Sequence, residues 1–441
     1  MSTDDGVQID DYFENKKSTD DLEQELILAA ADADARNNEE ESKYEEPQEE
    51  EIDNEPTYCA SGSRIKRKSS QEHDSAKLLK TNESEAVPQP SEGYGKIIAK
   101  HYNALEEKGV QERSKSRIFY LRNFHNWIKS MLINEYLTKI KASKKHNAPV
   151  RVMDMGCGKG GDLLKWRKGN ITHLICNDIA AVSLDQCKSR YVDMQNRNNR
   201  DRGNIYSIEN IAADFTKVRL REKYKDPSMK LDLVSCQFAF HYGFESLLQA
   251  ECAIHNAAEC LQPGGFFIGT ILDSNDLLAR IRKAKSNAFG NGVFKVRFEC
   301  DTYKPPLFGA KYHFNLDGVV DCPEFLIHFP TFTKLAKKHG LKLVRREKFY
   351  EFYQRMHVEG RQLMGNMKGL ETYPPHSDSS LVGTEVDDYA HAEEFLKSDN
   401  LNGKVGTLSK SEWEASSLYL TFAFEKMKNT WAADGTPIYT M

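Results

Sequence analysis

The run Val150-Arg151-Val152-Met153-Asp154-Met155-Gly156-Cys157-Gly158-Lys159-Gly160-Gly161-Asp162 constrains the fold of this chain more than any other segment. An apolar strand ends in an acid and breaks into a glycine-rich turn before a helix, the pattern of an α/β sheet with a nucleotide-type ligand at its edge. Glycines are required where the backbone must adopt dihedrals that a Cβ forbids and must approach a ligand closely. The turn itself admits two readings. Gly156, Gly158 and Gly161 satisfy the dinucleotide fingerprint, whereas Gly156, Gly158 and Gly160 after Asp154 satisfy the turn that cradles S-adenosylmethionine (SAM). A dinucleotide would put its pyrophosphate on the helix N-terminus; SAM has no phosphate and offers an ammonium, a carboxylate, a ribose and an adenine.

Three downstream features favour SAM. A second strand, His173–Asp178, follows the helix Asp162–Lys168 and ends in an acid placed to accept ribose hydroxyls, which NAD would also use. A third strand ends in Ala212-Ala213-Asp214-Phe215, where an acid followed by an aromatic suits an adenine amino group and ring, a pairing less expected of NAD. A fourth, Leu231–Gln237, leads through a helix to Leu261-Gln262-Pro263-Gly264-Gly265-Phe266, a turn into a strand that is frequent in class I methyltransferases. The order of elements decides, rather than the glycines.

Charge divides the chain. The first 56 of its 441 residues carry 21 Asp or Glu against 4 Lys or Arg, a charge of −17 where the whole chain has −5, so +12 is left on the remainder. Such an acidic, aromatic-poor segment cannot bury enough apolar surface to offset chain entropy, and residues 1–90 are expected to be a disordered tail and linker. The basic body points to a polyanionic partner, the alternative being a solvated lysine-rich surface. Arg64-Ile65-Lys66-Arg67-Lys68, in a Ser-rich stretch, suits a nuclear import signal. The nine cysteines are scattered without a C-x-x-C pair and several fall inside apparent core strands, so they read as small apolar residues of a reducing compartment, with no metal site expected. There is no signal peptide and no long uncharged apolar run, so neither secretion nor a membrane is expected.

From Val150 to Leu272 strands and helices alternate, which predicts an α/β fold with a doubly wound, mostly parallel sheet covered on both faces. Ahead of it, apolar residues at helical spacing over Ile97–Ile140 predict helix packed in front of the sheet. Beyond it, Phe289–Phe329 reads as an inserted substrate-facing subdomain, the helix Thr331–His339 leads into a strand Lys342–Phe349, and Gly360–Lys410 is expected to be a second, looped insertion. A final strand, Ser417–Glu425, should pair with Lys342–Phe349 as an antiparallel, hairpin-like partner. The catalytic domain is thus placed at 91–441, with its SAM-binding core at 150–272 and its insertions at about 289–329 and 360–410.

Six separated blocks carry a more specific signal: Arg117–Trp127 (RIFYLRNFHNW), Asp154–Trp166, Cys236–Tyr242 (CQFAFHY), Tyr312–Leu316 (YHFNL), Val320–Phe325 (VDCPEF) and Leu408–Glu414 (LSKSEWE). In this order, over about Ser114–Lys426, the chain resembles the eukaryotic mRNA cap guanine-N7 methyltransferases, a class I, Rossmann-like SAM-dependent family. The resemblance implies that SAM lies on Lys129, Gly156, Asp178, Asp214, Gln237 and Tyr242. It implies that the cap guanosine and its triphosphate meet His125, Asn126, Lys159, Lys165, Arg190, His241, Glu324 and Tyr419. Taken singly, Lys129 reads as a solvated helix lysine, His241-Tyr242 as a structural pair and Glu324 as a surface carboxylate. With the resemblance, Lys129 is a cation for the methionine carboxylate, and Lys159, Lys165 and Arg190 are cations for phosphates. Gln237 and Tyr242 follow the fourth strand, at the carboxyl edge where open α/β sheets bind ligands. Many members have Asn-Asn where this chain has His125-Asn126, and a proline common near Thr270–Ser274 is missing.

Guanine N7 has an available lone pair and no proton leaves, so no general acid or base is expected; His241, Tyr242 and Glu324 would orient the substrate. The resemblance implies GpppN-capped RNA as substrate, the nucleus as compartment, and a small activating subunit, the capping enzyme or the RNA polymerase II machinery as further partners. Two readings from other classes compete. An NAD-dependent oxidoreductase is disfavoured by the element order, and a catalytically silent RNA-binding scaffold has no need of the glycine turn, Asp178, Asp214 and Glu324.

Overall fold

The computed structural model describes residues 93–104, 112, 114–200, 205–398, 403–431 and 437–440. The acidic tail at 1–90 and the Arg64–Lys68 cluster lie outside them. Two helices, α1 (Gly95–Ala104) and the long α2 (Phe119–Ser143), precede the alternating core. That core runs β1 (Arg151–Met155), α3 (Leu163–Lys168), β2 (His173–Asp178), α4 (Ala181–Arg200), β3 (Ser207–Ala212), β4 (Leu231–Gln237), α5 (Leu247–Ala258) and β5 (Leu261–Leu272). Its five strands are parallel, in the spatial order β5-β4-β1-β2-β3. Every residue of β4 is buried, as a central parallel strand covered on both faces requires.

After β5 the alternation stops. Helix α6 (Ser274–Ala284) leads to a four-stranded antiparallel sheet of β6 (Ala288–Gly290), β7 (Phe294–Phe298), β8 (Lys311–Leu316) and β9 (Val320–Phe325). Strand β7, Phe-Lys-Val-Arg-Phe, alternates buried and exposed residues, because an inserted sheet packs one face and leaves the other wet. Next come α7 (Phe329–Lys338), β10 (Leu341–Lys348), α8 (Phe349–Met356) and α9 (Arg361–Asn366). The second insertion, opening on α9, contains β11 (Glu371–Tyr373), α10 (Ala390–Ser398) and β12 (Val405–Thr407), and α11 (Lys410–Ser416) follows it. Strand β13 (Tyr419–Lys426) then enters the main sheet between β5 and β10, antiparallel to both.

The expected hairpin-like pairing of the two late strands is present, with Leu341 opposite Lys426 and Lys348 opposite Leu420. Phe349 opens α8 instead of closing the strand, and β13 is not the last strand, since β14 (Lys428–Trp431) and β15 (Pro437–Thr440) follow it. Among the described residues, the helical reading of Ile97–Ile140 holds over α1 and α2. The helix placed at Thr331 begins at Phe329, with Pro330 in its first turn, where the missing N–H costs nothing.

The block Leu408–Glu414 has a structural purpose. Ser409 and Glu412 form a capping box on α11, and Glu412 Oε1 also accepts the N–H of Leu121 at 3.1 Å in the first turn of α2. Arg117 donates to Asp388 Oδ2 at 2.9 Å and to Ser409 Oγ at 3.1 Å, so the second insertion is tied to the start of the helix that lines the site.

Candidate active site

The carboxyl edge of the parallel sheet opens into a cleft of about 640 Å³, a size suited to a small-molecule ligand. Gly156, Asp178 and Gln237 enter it from the ends of β1, β2 and β4, Asn126 and Lys129 from α2, and Phe314 and Glu324 from the inserted sheet. Because β13 runs antiparallel, its first residue, Tyr419, pairs with Leu272 at that same edge and faces the cleft too. A separate hollow of about 460 Å³, lined by Tyr353, His357, Met364 and Glu371 among others, contains none of the predicted site residues.

The glycine turn is left-handed at three of its glycines. Gly156, Gly158 and Gly160 take φ of +74°, +52° and +74°, whereas Gly161 is not among the left-handed residues. A Cβ on Gly156 would stand 2.7 Å from the Cβ of Ala239, and one on Gly158 would project into open space on the cleft side. Asp178 braces this turn: its Oδ2 accepts the Gly158 N–H at 2.7 Å and its Oδ1 the Ala180 N–H at 2.8 Å. Burial raises its pKa against the pull of those bonds. Gln237 donates to Ser235 Oγ at 2.9 Å, which leaves its buried Oε1 without a partner beside the cleft. Lys129 pairs with Asp162 at 2.8 Å; Asp162, although burial opposes it, is held below the usual carboxylate range by Lys129 and Lys165. These residues fit SAM: an acid for the ribose, an unpartnered amide oxygen, a cation, and a cradle that a Cβ on Gly158 would fill.

At the other end, Glu324 is 3% exposed and accepts a hydrogen bond from the Tyr312 hydroxyl at 2.8 Å. Burial pushes its carboxyl up to about 8, with the Tyr312 bond opposing. His241 Nε2 lies 3.4 Å from Glu324 Oε1 without the alignment of a hydrogen bond, and burial lowers the ring to about 3, so it is neutral at physiological pH. Tyr242 shares a 3.1 Å hydroxyl contact with Tyr102 of α1. His125 sits among aromatic rings, stacked on Phe238 with centroids 5.6 Å apart and edge-on to Phe349 and Tyr419. Burial first, then Lys129, lowers its pKa to about 3, and its Nε2 lies 3.3 Å from Ser416 Oγ. Lys159 and Arg190 also line the cleft.

Two predicted residues are not brought into the lining. Asp214 Oδ1 accepts from the Thr216 N–H at 2.9 Å and the Thr216 hydroxyl at 2.6 Å, so it closes the loop after β3 on itself, and Phe215 faces the cleft instead. Lys165 stands behind the lining, donating to Asn126 Oδ1 at 2.7 Å and to Gly161 O at 3.2 Å while pairing with Asp162 at 2.8 Å.

The sequence did not single out Tyr102, Phe119, Arg122, Phe238 or Phe314, all of which line the cleft. Phe238 carried a usable signal, since it lies inside the block Cys236–Tyr242. Its φ of +59° is costly for an aromatic and is fixed by its N–H, which donates to Thr270 O at 3.0 Å and to Thr270 Oγ1 at 3.1 Å. Tyr102 carried none, because it reaches the cleft only through the docking of α1.

Comparison with known proteins adds a family to this geometry. A family model described as the mRNA (guanine-N(7))-methyltransferase domain matches residues 84–427. The mRNA cap guanine-N(7) methyltransferase of Drosophila melanogaster is 52% identical over 346 residues, covering 78% of this chain and 80% of the relative. That of Caenorhabditis elegans is 40% identical over 341 residues, covering 75% and 87%. Among solved structures, the CcbJ methyltransferase of Streptomyces caelestis matches at 14% identity and a TM-score of 0.38, over 68% of this chain and 95% of that one. The fold assignment rests on the strand order, not on that likeness.

Proposed function

This chain belongs to the mRNA (guanine-N7)-methyltransferase family, and we propose that its cleft holds SAM on the glycine turn and the cap guanine against Glu324. It is an mRNA cap guanine-N7 methyltransferase, transferring the methyl group of SAM to N7 of GpppN-capped RNA to give the m7GpppN cap. The observation that carries the site reading is the convergence of the left-handed glycine turn and the buried Glu324 carboxylate on one cleft.

When bound, SAM supplies a methyl group already activated by a sulfonium charge. The chain then has to position rather than to move protons. In this reading Gly156 and Gly158 let the backbone approach, Asp178 takes the ribose, and Lys129 exchanges its Asp162 partner for the methionine carboxylate. Glu324 accepts from the guanine N1–H and amino group, an edge that adenine cannot match. It also faces the positive charge that builds on guanine as N7 is methylated, and this favours the transition state over the ground state. His241 and Tyr242 confine the base beside it, with Tyr102 holding the Tyr242 hydroxyl. Lys159 and Arg190 serve the triphosphate directly, and Lys165 acts through Asn126. In-line orientation supplies the rate, for which near-attack placement contributes up to about 7–11 kcal/mol.

Glu324→Gln tests the assignment. The amide presents a donor where guanine also presents one, so kcat/KM for capped RNA should fall one to several orders of magnitude, about 1.5–4 kcal/mol, while S-adenosylhomocysteine (SAH) affinity barely changes. Weakened SAH binding with unaltered use of capped RNA would put the base elsewhere.

The Arg64–Lys68 cluster supports a nuclear location, and the acidic tail supports docking to a small activating subunit, the capping enzyme or the RNA polymerase II machinery. Deletion of residues 1–90 should leave methyl transfer to a short capped RNA intact and impair import or recruitment. Loss of most activity by the folded, shortened protein would assign the tail to the enzyme proper.

A further inference from the structure

Beneath the glycine turn, the sulfurs of Cys157, Cys176 and Cys187 lie within 4.8 Å of one another, and those of Cys176 and Cys187 are 4.0 Å apart. They come from the turn itself, from β2 and from the second turn of α4, so no ligand spacing in the sequence announces them. Cys176 and Cys187 are fully buried and Cys157 is half-buried. A thiolate bonds zinc at about 2.3 Å, which sets three sulfurs around one ion about 3.8 Å apart in tetrahedral and about 4.0 Å apart in trigonal coordination. The observed triangle reaches that geometry with sub-ångström shifts.

We propose that Cys157, Cys176 and Cys187 form a binding site for one soft d10 cation, zinc(II) or copper(I). Thiolates select these ions over the hard cations that nucleotides carry. Three metal–sulfur bonds form as three thiol protons leave to solvent, so zinc(II) and three thiols give a tris-thiolate of charge −1 and three protons. The site is mechanically joined to the cofactor cradle. The Cys157 N–H donates to Asn177 O at 3.0 Å, the Gly158 N–H to Asp178 at 2.7 Å, and a Cβ on Gly160 would stand 2.8 Å from Cys187 Sγ. An ion held there is coupled to SAH binding, each altering the affinity of the other by the same factor.

The test uses the full chain, reduced and stripped of metal, titrated with zinc(II) against a chromophoric chelator and, without oxygen, with copper(I) against its own; magnesium is the control. One equivalent of zinc or copper should bind with thiolate-to-metal charge-transfer absorption. That binding should weaken at least tenfold in Cys187→Ala and in Cys176→Ala but not in Cys300→Ala, with SAH binding by each metal-free variant reporting an intact cradle. Loading should also change the SAH affinity of the wild type at least threefold and leave that of Cys187→Ala unchanged. The proposal is overturned if the folded Cys187→Ala variant binds as tightly as the wild type, or if neither ion binds the wild type better than magnesium does.

Discussion

Tyr312 and Glu324 face one another directly across the β8–β9 ladder, and the phenol donates to Glu324 Oε2 at 2.8 Å with both side chains buried. The antiparallel register therefore fixes how the carboxylate enters the cleft. Tyr312→Phe keeps the ring and removes this bond, worth about 1.5–3 kcal/mol to a charged acceptor. We expect kcat/KM for capped RNA to fall roughly 10- to 150-fold, with SAH affinity unchanged and the Glu324 ionisation displaced upward. Steady-state kinetics and SAH titration together check this.

The raised carboxyl also fixes a pH dependence. Glu324 titrates near 8 because burial disfavours its charged form, so the better acceptor state is populated above that value and lost as pH falls below it. kcat/KM of the wild type should rise towards pH 8, by up to tenfold per unit, and then level off. In Glu324→Gln this rise should be absent, and the gap between the two enzymes should be widest above pH 8. A pH-independent gap would mean that Glu324 is already ionised in the free enzyme.

Gly158→Ala separates cradle from fold. The added methyl meets nothing within 4 Å, but it enters the cleft and imposes a left-handed residue at φ +52°. Calorimetric SAH affinity should fall at least tenfold, about 1.4 kcal/mol, with thermal stability lowered only by the backbone strain of about 1–3 kcal/mol. Unchanged affinity would remove the glycine turn from the cofactor site. Gly156→Val, whose first side-chain atom would collide with Ala239, should abolish binding altogether.

Asp154, at the end of β1, is buried and accepts the Trp166 indole N–H at 3.0 Å. Burial and then Asp162 raise its pKa to about 8. Trp166→Phe leaves this acid unpartnered and opens space beneath the turn, so unfolding free energy should drop by about 1–3 kcal/mol for the lost bond and further for the cavity. Denaturant titration measures it, and a loss below about 0.5 kcal/mol would mean that the indole N–H contributes nothing net.

What was legible in the sequence follows from locality. Strands β2 and β4 lie at the residues read for them because each is a short apolar run ending in a polar residue at the sheet edge. The glycine turn was legible as a ligand cradle, and the order of the elements after it, not the turn itself, favoured SAM over a dinucleotide. Asp214 shows the opposite case: read as an adenine contact, it lies outside the cleft lining, with its Oδ1 accepting from the Thr216 N–H and hydroxyl. Of the non-local events, the antiparallel pairing of the two late strands was legible, but the other neighbour of β13 and the docking of α1 were not. The insertion of β13 between β5 and β10, which delivers Tyr419, depends on pairing with Leu272, and Tyr102 depends on where α1 docks. The three sulfurs beneath the turn were hidden for the same reason, since they meet only once β2 and α4 have packed.

Direct product analysis tests whether this cleft methylates N7 of the cap guanine. The full chain, incubated with methyl-labelled SAM and GpppG-capped RNA, is followed by nuclease digestion and identification of the labelled nucleoside. We predict that the label appears in 7-methylguanosine and that Glu324→Gln reduces it at least tenfold above pH 8 at low RNA concentration. Label on a ribose hydroxyl or on an internal base, or equal labelling by Glu324→Gln, would contradict it.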